Sequence, residues 1–277
     1  HRLTSASPRR YDWHVQAIGN LVVDTRWKPS EGFNPDQLYA LTNRAIARLL
    51  SDPIERDRYA LKDVRELAVT EAGWAATIRQ DCTLPDVAHS VLGQAWYDRQ
   101  IGVRVHMLGE PGTTVFAGRS PESRRAPGRE PNKGDKSNLP NELGGTTLLV
   151  RRQAPETVFA AVHEPFEKNA PRLETVRRLA QTREGIALSL KGQPGSEIND
   201  RVLYAFWDRH TAPLTLEGDG ESFTFADRAF IRIGKDRVEV SGDCRRLRLH
   251  VSGQPQLLVN GKRCDSRIVA GCLLFGE

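Results

Sequence analysis

Apolar and polar positions alternate along most of this chain with the two-residue period of strands that have one packed and one wetter face. After Pro53 the period appears at Val64, Leu67 and Val69, at Trp74 to Ile78, at Ile101 to Leu108 and at Thr113 to Ala117. These segments predict antiparallel strands. In the Ile101 segment Val103, Val105 and Met107 point one way and Arg104 and His106 the other, which predicts an exposed sheet face for His106. Between Leu143 and Phe166 two apolar, β-branched runs flank a polar stretch at Gln153 to Glu156. That pattern predicts a β-hairpin whose second arm ends in His163-Glu164. Further strands are predicted at Leu173 to Leu179, Ile186 to Leu190 and Arg201 to Trp207, with a turn region from Gly192 to Asn199. Near the start, Tyr11 to Asp24 alternates loosely and breaks at Gly19-Asn20, as two strands joined there would.

One segment follows a different period. Asn34-Pro35-Asp36 is a helix-start signature, with Asn34 as N-cap and Pro35 at the first helical position. Leu38, Leu41, Ala45, Ile46 and Leu49 then recur at helical spacing, predicting a short amphipathic helix from Pro35 to Leu50 with a packing face. From Gly218 the rhythm shortens to Phe223–Phe225, Ala229–Ile233, Val238–Val240, Leu247–Val251, Leu257–Val259 and Ile268–Phe275, with Asn260-Gly261 as a tight-hairpin signal. No fixed-period repeat appears, which argues against a propeller or solenoid. The expected fold is mainly β: a large antiparallel multi-sheet β-sandwich over residues 1–217, then a small C-terminal β domain over residues 218–277, with one short amphipathic helix.

A length of 277 residues suits one large β domain or two of ordinary size. No apolar run approaches the ~18 residues of a membrane-spanning helix, so a soluble chain is expected. The chain begins at His1 and its first apolar residues form no signal-peptide core, so it reads as a mature, trimmed or partial product. The net charge of +5 favours polyanionic partners. The chain carries no zinc finger, helix-turn-helix, RNA-binding aromatic motif or phosphate-binding Gly-rich loop, which weighs against nucleic acid and leaves acidic polysaccharide as the better fit. Between Arg119 and Leu139, Arg124, Arg125, Arg129, Lys133 and Lys136 sit among Pro, Gly, Ser and Asn, a basic loop able to bind an anionic chain. Cys82, Cys244, Cys264 and Cys272 lack zinc-ribbon spacing. Cys264 and Cys272 are either a disulfide or separate thiols.

The candidate binding groups each have a bland alternative. His163 with Glu164 can bind a sugar, support a metal ligand or merely cap a strand. Tyr11, Trp13 and His14 can stack on or hydrogen-bond a sugar ring, although Trp13 suits a core equally. Trp207, Arg209 and the neighbouring His210 place an aromatic, a cation and an imidazole at a strand end. Arg9 and Arg10 can hold a carboxylate or sulfate bidentately, or remain solvated. His89, His106 and His250 lack convergent partners in sequence and read as structural.

Several segments occur together: Tyr11-Asp12-Trp13 with Gly19-Asn20-Leu21; Leu61-Lys-Asp-Val-Arg65 with Gly73-Trp74-Ala75-Ala76; Arg104 to Gly109 with Thr114-Val115-Phe116; Leu148 to Arg152; Thr157 to Phe166; and the Val259-Asn260-Gly261 hairpin. Their order across nearly the whole chain resembles the C-terminal portion of the heparinase II/III-like polysaccharide lyases. The resemblance implies an (α/α) toroid followed by a long β-sandwich and a small β domain, cleaving uronate-containing polysaccharide by β-elimination outside the cytoplasm, whether secreted or periplasmic. It also implies that most reactive groups lie on the toroid, with a further His and metal-binding His and Asp residues early in the sandwich. This chain shows no toroid and no His-x-His-x-Asp stretch, and where relatives carry His three residues beyond the aromatic of the Tyr-Asp-aromatic segment it has Gln16. The expectation is therefore a sandwich portion incomplete for catalysis without an (α/α)-toroid domain or chain, with catalytic residues unassigned. Substrate contacts are expected from His163, Glu164, Tyr11, Trp13, His14, Arg9, Arg10, Trp207 and Arg209. This chain itself is expected to hold no cofactor or metal, a divalent zinc or calcium ion being a matter for the parent enzyme. The alternative is a non-catalytic β protein that binds anionic polysaccharide.

Overall fold

The computed structural model describes residues 2–30, 62–68, 73–79, 101–119, 145–168, 170–206 and 213–276. The predicted helix over Pro35 to Leu50 and the basic loop beyond Arg119 lie outside them. The described residues are mainly β, in several antiparallel sheets, and the chain divides into two compact units, His1–Pro171 and Arg172–Glu277.

The first unit contains β1 (Arg2–Ile18), β2 (Asn20–Leu21), β3 (Lys28–Pro29), β4 (Lys62–Ala68), β5 (Trp74–Arg79), β6 (Gly102–Met107), β7 (Thr113–Arg119), β8 (Gly145–Val158) and β9 (Ala161–Phe166). A five-stranded sheet has the order β1-β8-β7-β4-β3 and a four-stranded sheet the order β2-β5-β6-β9. The two-residue period turns Trp74, Ala76 and Ile78 of β5, with Val105 and Met107 of β6, into one cluster with Leu67, Val115, Ala117, Leu148 and Val150 from the other sheet. This shared cluster is the core of a β-sandwich. Its interior Leu, Ile, Val and Met side chains are worth roughly 1.5–3 kcal/mol each in burial.

The segment from Leu143 to Phe166 is not the predicted hairpin. β8 runs straight through Gln153 to Glu156, and Phe159-Ala160 then carries the chain from one sheet to the other, where β9 pairs with β6. The polar stretch is tolerated because Pro155 lies where the β1–β8 register shifts, between the Thr4 and Arg9 pairings, so its missing N–H leaves no ladder bond unmade. The break predicted at Gly19 is real, with φ 122, but β1 starts far earlier than Tyr11 and β2 joins the other sheet.

The second unit contains β10 (Leu173–Gln181), β11 (Gly185–Gly192), β12 (Asn199–Ala205), β13 (Leu214–Gly218), β14 (Glu221–Ile233), β15 (Arg237–His250), β16 (Gln256–Val259), β17 (Lys262–Cys264), β18 (Arg267–Val269) and β19 (Cys272–Phe275). One sheet has the order β10-β11-β12-β14-β15-β16-β17, with β13 on β14 and β19 bridging β15 and β18. All its pairs are antiparallel except β15 with β16. Phe223, Phe225, Ile231, Val238, Leu249 and Leu273 lie at its core with no more than 0% exposure. The short strands predicted from Phe223 to Val251 fuse into two long ones, β14 and β15, bent by register shifts around Phe225. At Asn260-Gly261 both φ angles are positive, 50 and 78, as the tight turn requires. The compact units meet at Pro171/Arg172: β10 pairs with β11, β11 with β12 and β12 with β14, which places β10 to β12 in the same sheet as the strands after Gly218.

Candidate functional site

The pairing of β9 with β6 sets Arg104 opposite Glu164, Val105 opposite His163 and His106 opposite Val162. Cross-strand partners share a face, so Glu164 stands with Arg104 and His106 while His163 stands on the Val105 side. Glu164 and His106 are buried, at 7% and 5% exposure, and His106 Nε2 lies 3.0 Å from Glu164 Oε2. A carboxylate accepts, so Nε2–H donates. This corrects the expected exposed position of His106 and the view of Glu164 as a strand-end group. Both were misread because the partner is 58 residues away. Gly102 faces Phe166 across the same ladder, and a Cβ there would collide with the Phe166 ring, so glycine lets the ring fold over the strand.

Burial lowers the His106 pKa below its ordinary 6.5, the Glu164 hydrogen bond opposes that shift, and the positive Arg104 reinforces it. The fold therefore holds a neutral imidazole. Its contribution to stability is complete above the unfolded value of 6.5 and is lost as pH falls through the lower folded value. Urea midpoints measured from about pH 8 to 5 are expected to fall on the acid side, and His106→Gln to flatten that fall. Parallel profiles for the two proteins would contradict this assignment.

The second feature is a rim. Among the described residues β1 and β9 are outer strands of their sheets. Tyr11, Trp13, Val15 and Ala17, at alternate positions of β1, pack against the sandwich core. The Trp13 ring meets the exposed His163 ring edge-on, with centroids 6.0 Å apart and an interplanar angle of 80°. Trp13 is half-buried, so it both closes the core and braces an imidazole at the surface. The Tyr11 hydroxyl is buried and, among the described residues, has no hydrogen-bond partner.

The other expected contacts do not all gather on this rim. Arg10 and His14 are exposed on the opposite face of β1 from Trp13, by strand alternation, and Asp12, whose side chain is largely covered, shares that face. Asp12 accepts from Arg151 Nε and Nη2, both at 2.9 Å, and Arg10 Nε lies 3.6 Å from it. Arg9 is exposed where the β1–β8 register resumes, opposite Ala154. Trp207 and Arg209 lie outside the described residues.

Sequence reasoning missed Arg152, which is 1% exposed. It donates to Thr113 Oγ1 (2.8 Å), Thr157 Oγ1 (3.2 Å), the Val158 carbonyl (2.7 Å) and the Leu108 carbonyl (2.9 Å), and its guanidinium stands 4.5 Å from the Phe159 ring centroid. It thereby ties the end of β6, the start of β7 and the β8–β9 corner together. The signal for it was present: in Leu148, Val150 and Arg152 the alternation that buries the first two buries the third. Cys244, Cys264 and Cys272 are free thiols, and burial pushes the Cys244 thiol up to about 12. Among the described residues no group of three or more His, Cys, Asp or Glu side chains is placed to hold a metal ion.

These features define a mainly β chain with a two-sheet sandwich, a buried His–Glu pair and an aromatic-braced imidazole on its rim. No model of a known protein family matches the chain, and no curated protein matches it either.

Proposed function

We propose that this chain is the β-sandwich portion of a polysaccharide lyase that acts on uronate-containing polysaccharide, secreted or periplasmic, and that it needs an (α/α) toroid to complete catalysis. The ordered segments that resemble heparinase II/III-like lyases support the reading. The single structural observation that carries it is the exposed His163 held edge-on by Trp13, a polar group beside an aromatic surface, as a sugar ring requires. In the elimination the C5–H and C4–O bonds break and a C4–C5 double bond forms. A base takes the C5 proton, an acid protonates the departing glycosidic oxygen, and neutralisation of the uronate carboxylate makes that proton removable. On this reading His163 hydrogen-bonds the sugar, Trp13 packs on its apolar face, and the His106–Glu164 pair stiffens β6 and β9 beneath them. The base and acid come from the toroid.

The test is the ultraviolet absorbance of an unsaturated uronate during incubation with alginate, heparan sulfate, chondroitin or hyaluronan. The chain alone is expected to give none, and the chain joined to an (α/α) toroid of this lyase class to give a steady rise with one of the four. Absence of product in both cases sinks the lyase reading.

A further inference from the structure

Cys272 opens β19 directly after the tight turn Ala270-Gly271, where both φ angles are positive, 49 and 76. Its pairing partners are His250, at the end of β15, and Val269 of β18. Cross-strand partners share a face, so these three side chains stand on the side of the sheet away from Leu249 and Leu273, core residues with 0% exposure. His250 Nδ1 lies 3.4 Å from Cys272 Sγ. The imidazole is seated from its other end as well, since a Cβ on Gly220, at the β13–β14 turn, would come within 2.8 Å of Nε2. The ring is thus held between a glycine and a thiol, with one nitrogen aimed at the sulfur.

The described thiols sit in different settings. Cys244 belongs to the core cluster, where burial pushes it up to about 12, and Cys264 packs against the same cluster with Sγ 3.6 Å from the Lys262 carbonyl. Among the described thiols, Cys272 alone has an imidazole within hydrogen-bonding distance. Cys272 is 3% exposed, yet its neighbours on that face are surface groups: His250, Ala270 and Gly271 are exposed and Val269 is 51% exposed. Nothing lies within 4 Å of the position that a Cβ on Gly271 would take, so the approach beside the turn is open. A nucleophile within reach of a base, covered by an exposed side chain and not by the core, is the arrangement that thiol chemistry needs.

We propose that Cys272, with His250 as its base, is a modification site that takes up low-molecular-weight disulfides. Nδ1 accepts the thiol proton as Sγ attacks one sulfur of the disulfide. A new S–S bond forms, the old one breaks, and its electron pair leaves on the departing thiolate, which takes the proton back from the imidazolium. Cys272 is oxidised to a mixed disulfide, and the other half of the small molecule is reduced to a thiol. The site does not depend on the polysaccharide reading.

The test is incubation of the folded full chain with oxidised glutathione near neutral pH, quenched with acid at intervals. The adduct is then quantified on the separate tryptic peptides that carry Cys82, Cys244, Cys264 and Cys272. Wild type is compared with His250→Gln and His250→Ala. Cys272 is expected to be modified faster than Cys264, although Cys264 is the more exposed. His250→Gln, which keeps bulk but not the base, is expected to slow Cys272 by about tenfold or more while Cys264 keeps its rate. His250→Ala separates a base from a cover: a slower rate despite the opened face supports the proposal, whereas a faster one would show that the imidazole only shields the sulfur and would overturn it. Absence of adduct on wild-type Cys272, unchanged Cys272 rates in both variants or equal slowing at Cys264 would overturn it as well. So would labelling of Cys244 in step with Cys272, the sign that glutathione reaches the thiols through unfolding.

Discussion

Truncation of Arg152 to Ala is expected to destabilise the first unit by about 3–5 kcal/mol, among the largest single-residue effects in the molecule. The side chain is 1% exposed and donates to two carbonyls and two hydroxyls, so its loss strands the Leu108 and Val158 carbonyls in an interior that water does not reach. Arg152→Lys is expected to recover only part of the loss, since an ammonium cannot reproduce the planar fork that serves three separate segments at once. Chemical denaturation followed by tryptophan fluorescence measures this, because Trp13, Trp27 and Trp74 lie in that unit. A loss below about 1 kcal/mol would mean that the corner is held by something else.

Glu221→Ala is the second large effect, again about 3–5 kcal/mol, now in the second unit. Arg201 Nε and Nη2 donate to Glu221 Oε2 and Oε1 at 2.7 and 2.9 Å, and the two side chains are 8% and 3% exposed. Removing the carboxylate leaves a guanidinium charged and buried, and the neutral acceptors beside it, Asn199 Oδ1 (3.0 Å) and the Asp200 carbonyl (3.2 Å), are too weak to replace it. Replacing both partners, as Arg201→Met/Glu221→Leu, is expected to cost far less or to stabilise, since neither charge then needs a counterpart. Urea midpoints of the two single variants and the double separate the pair energy from the burial cost. A double variant as damaged as Glu221→Ala would contradict the argument.

Local pattern made the strands legible wherever one face is packed. β5 shows it most plainly, with Trp74, Ala76 and Ile78 alternating against wetter neighbours, and the β16–β17 turn follows from Asn260-Gly261 because those two residues tolerate positive φ. Pairing was not legible in the same way. Nothing within Thr157 to Phe166 states that β9 belongs to a different sheet from β8, since that is decided by which core each strand can complete. The same limit hid the geometry of the candidate site. His106 was read as exposed because its own strand offers only Arg104 on that face, whereas Glu164 and Phe166 arrive from β9. His163 and Trp13 were each noticed as sugar-binding types, but their contact depends on two sheets meeting across the core. Arg10 and His14 sit beside Trp13 in sequence and on the other face in space.

The central claim is that the rim of His163 and Trp13 meets the uronate chain. Its most direct test is kcat/KM for unsaturated-uronate formation by the chain joined to an (α/α) toroid of the proposed lyase class, compared with the His163→Ala variant of equal thermal stability. We expect kcat/KM to fall by about tenfold or more, consistent with loss of a hydrogen bond to a charged or polar substrate group. Unchanged kcat/KM in the variant would place the substrate elsewhere and contradict the account.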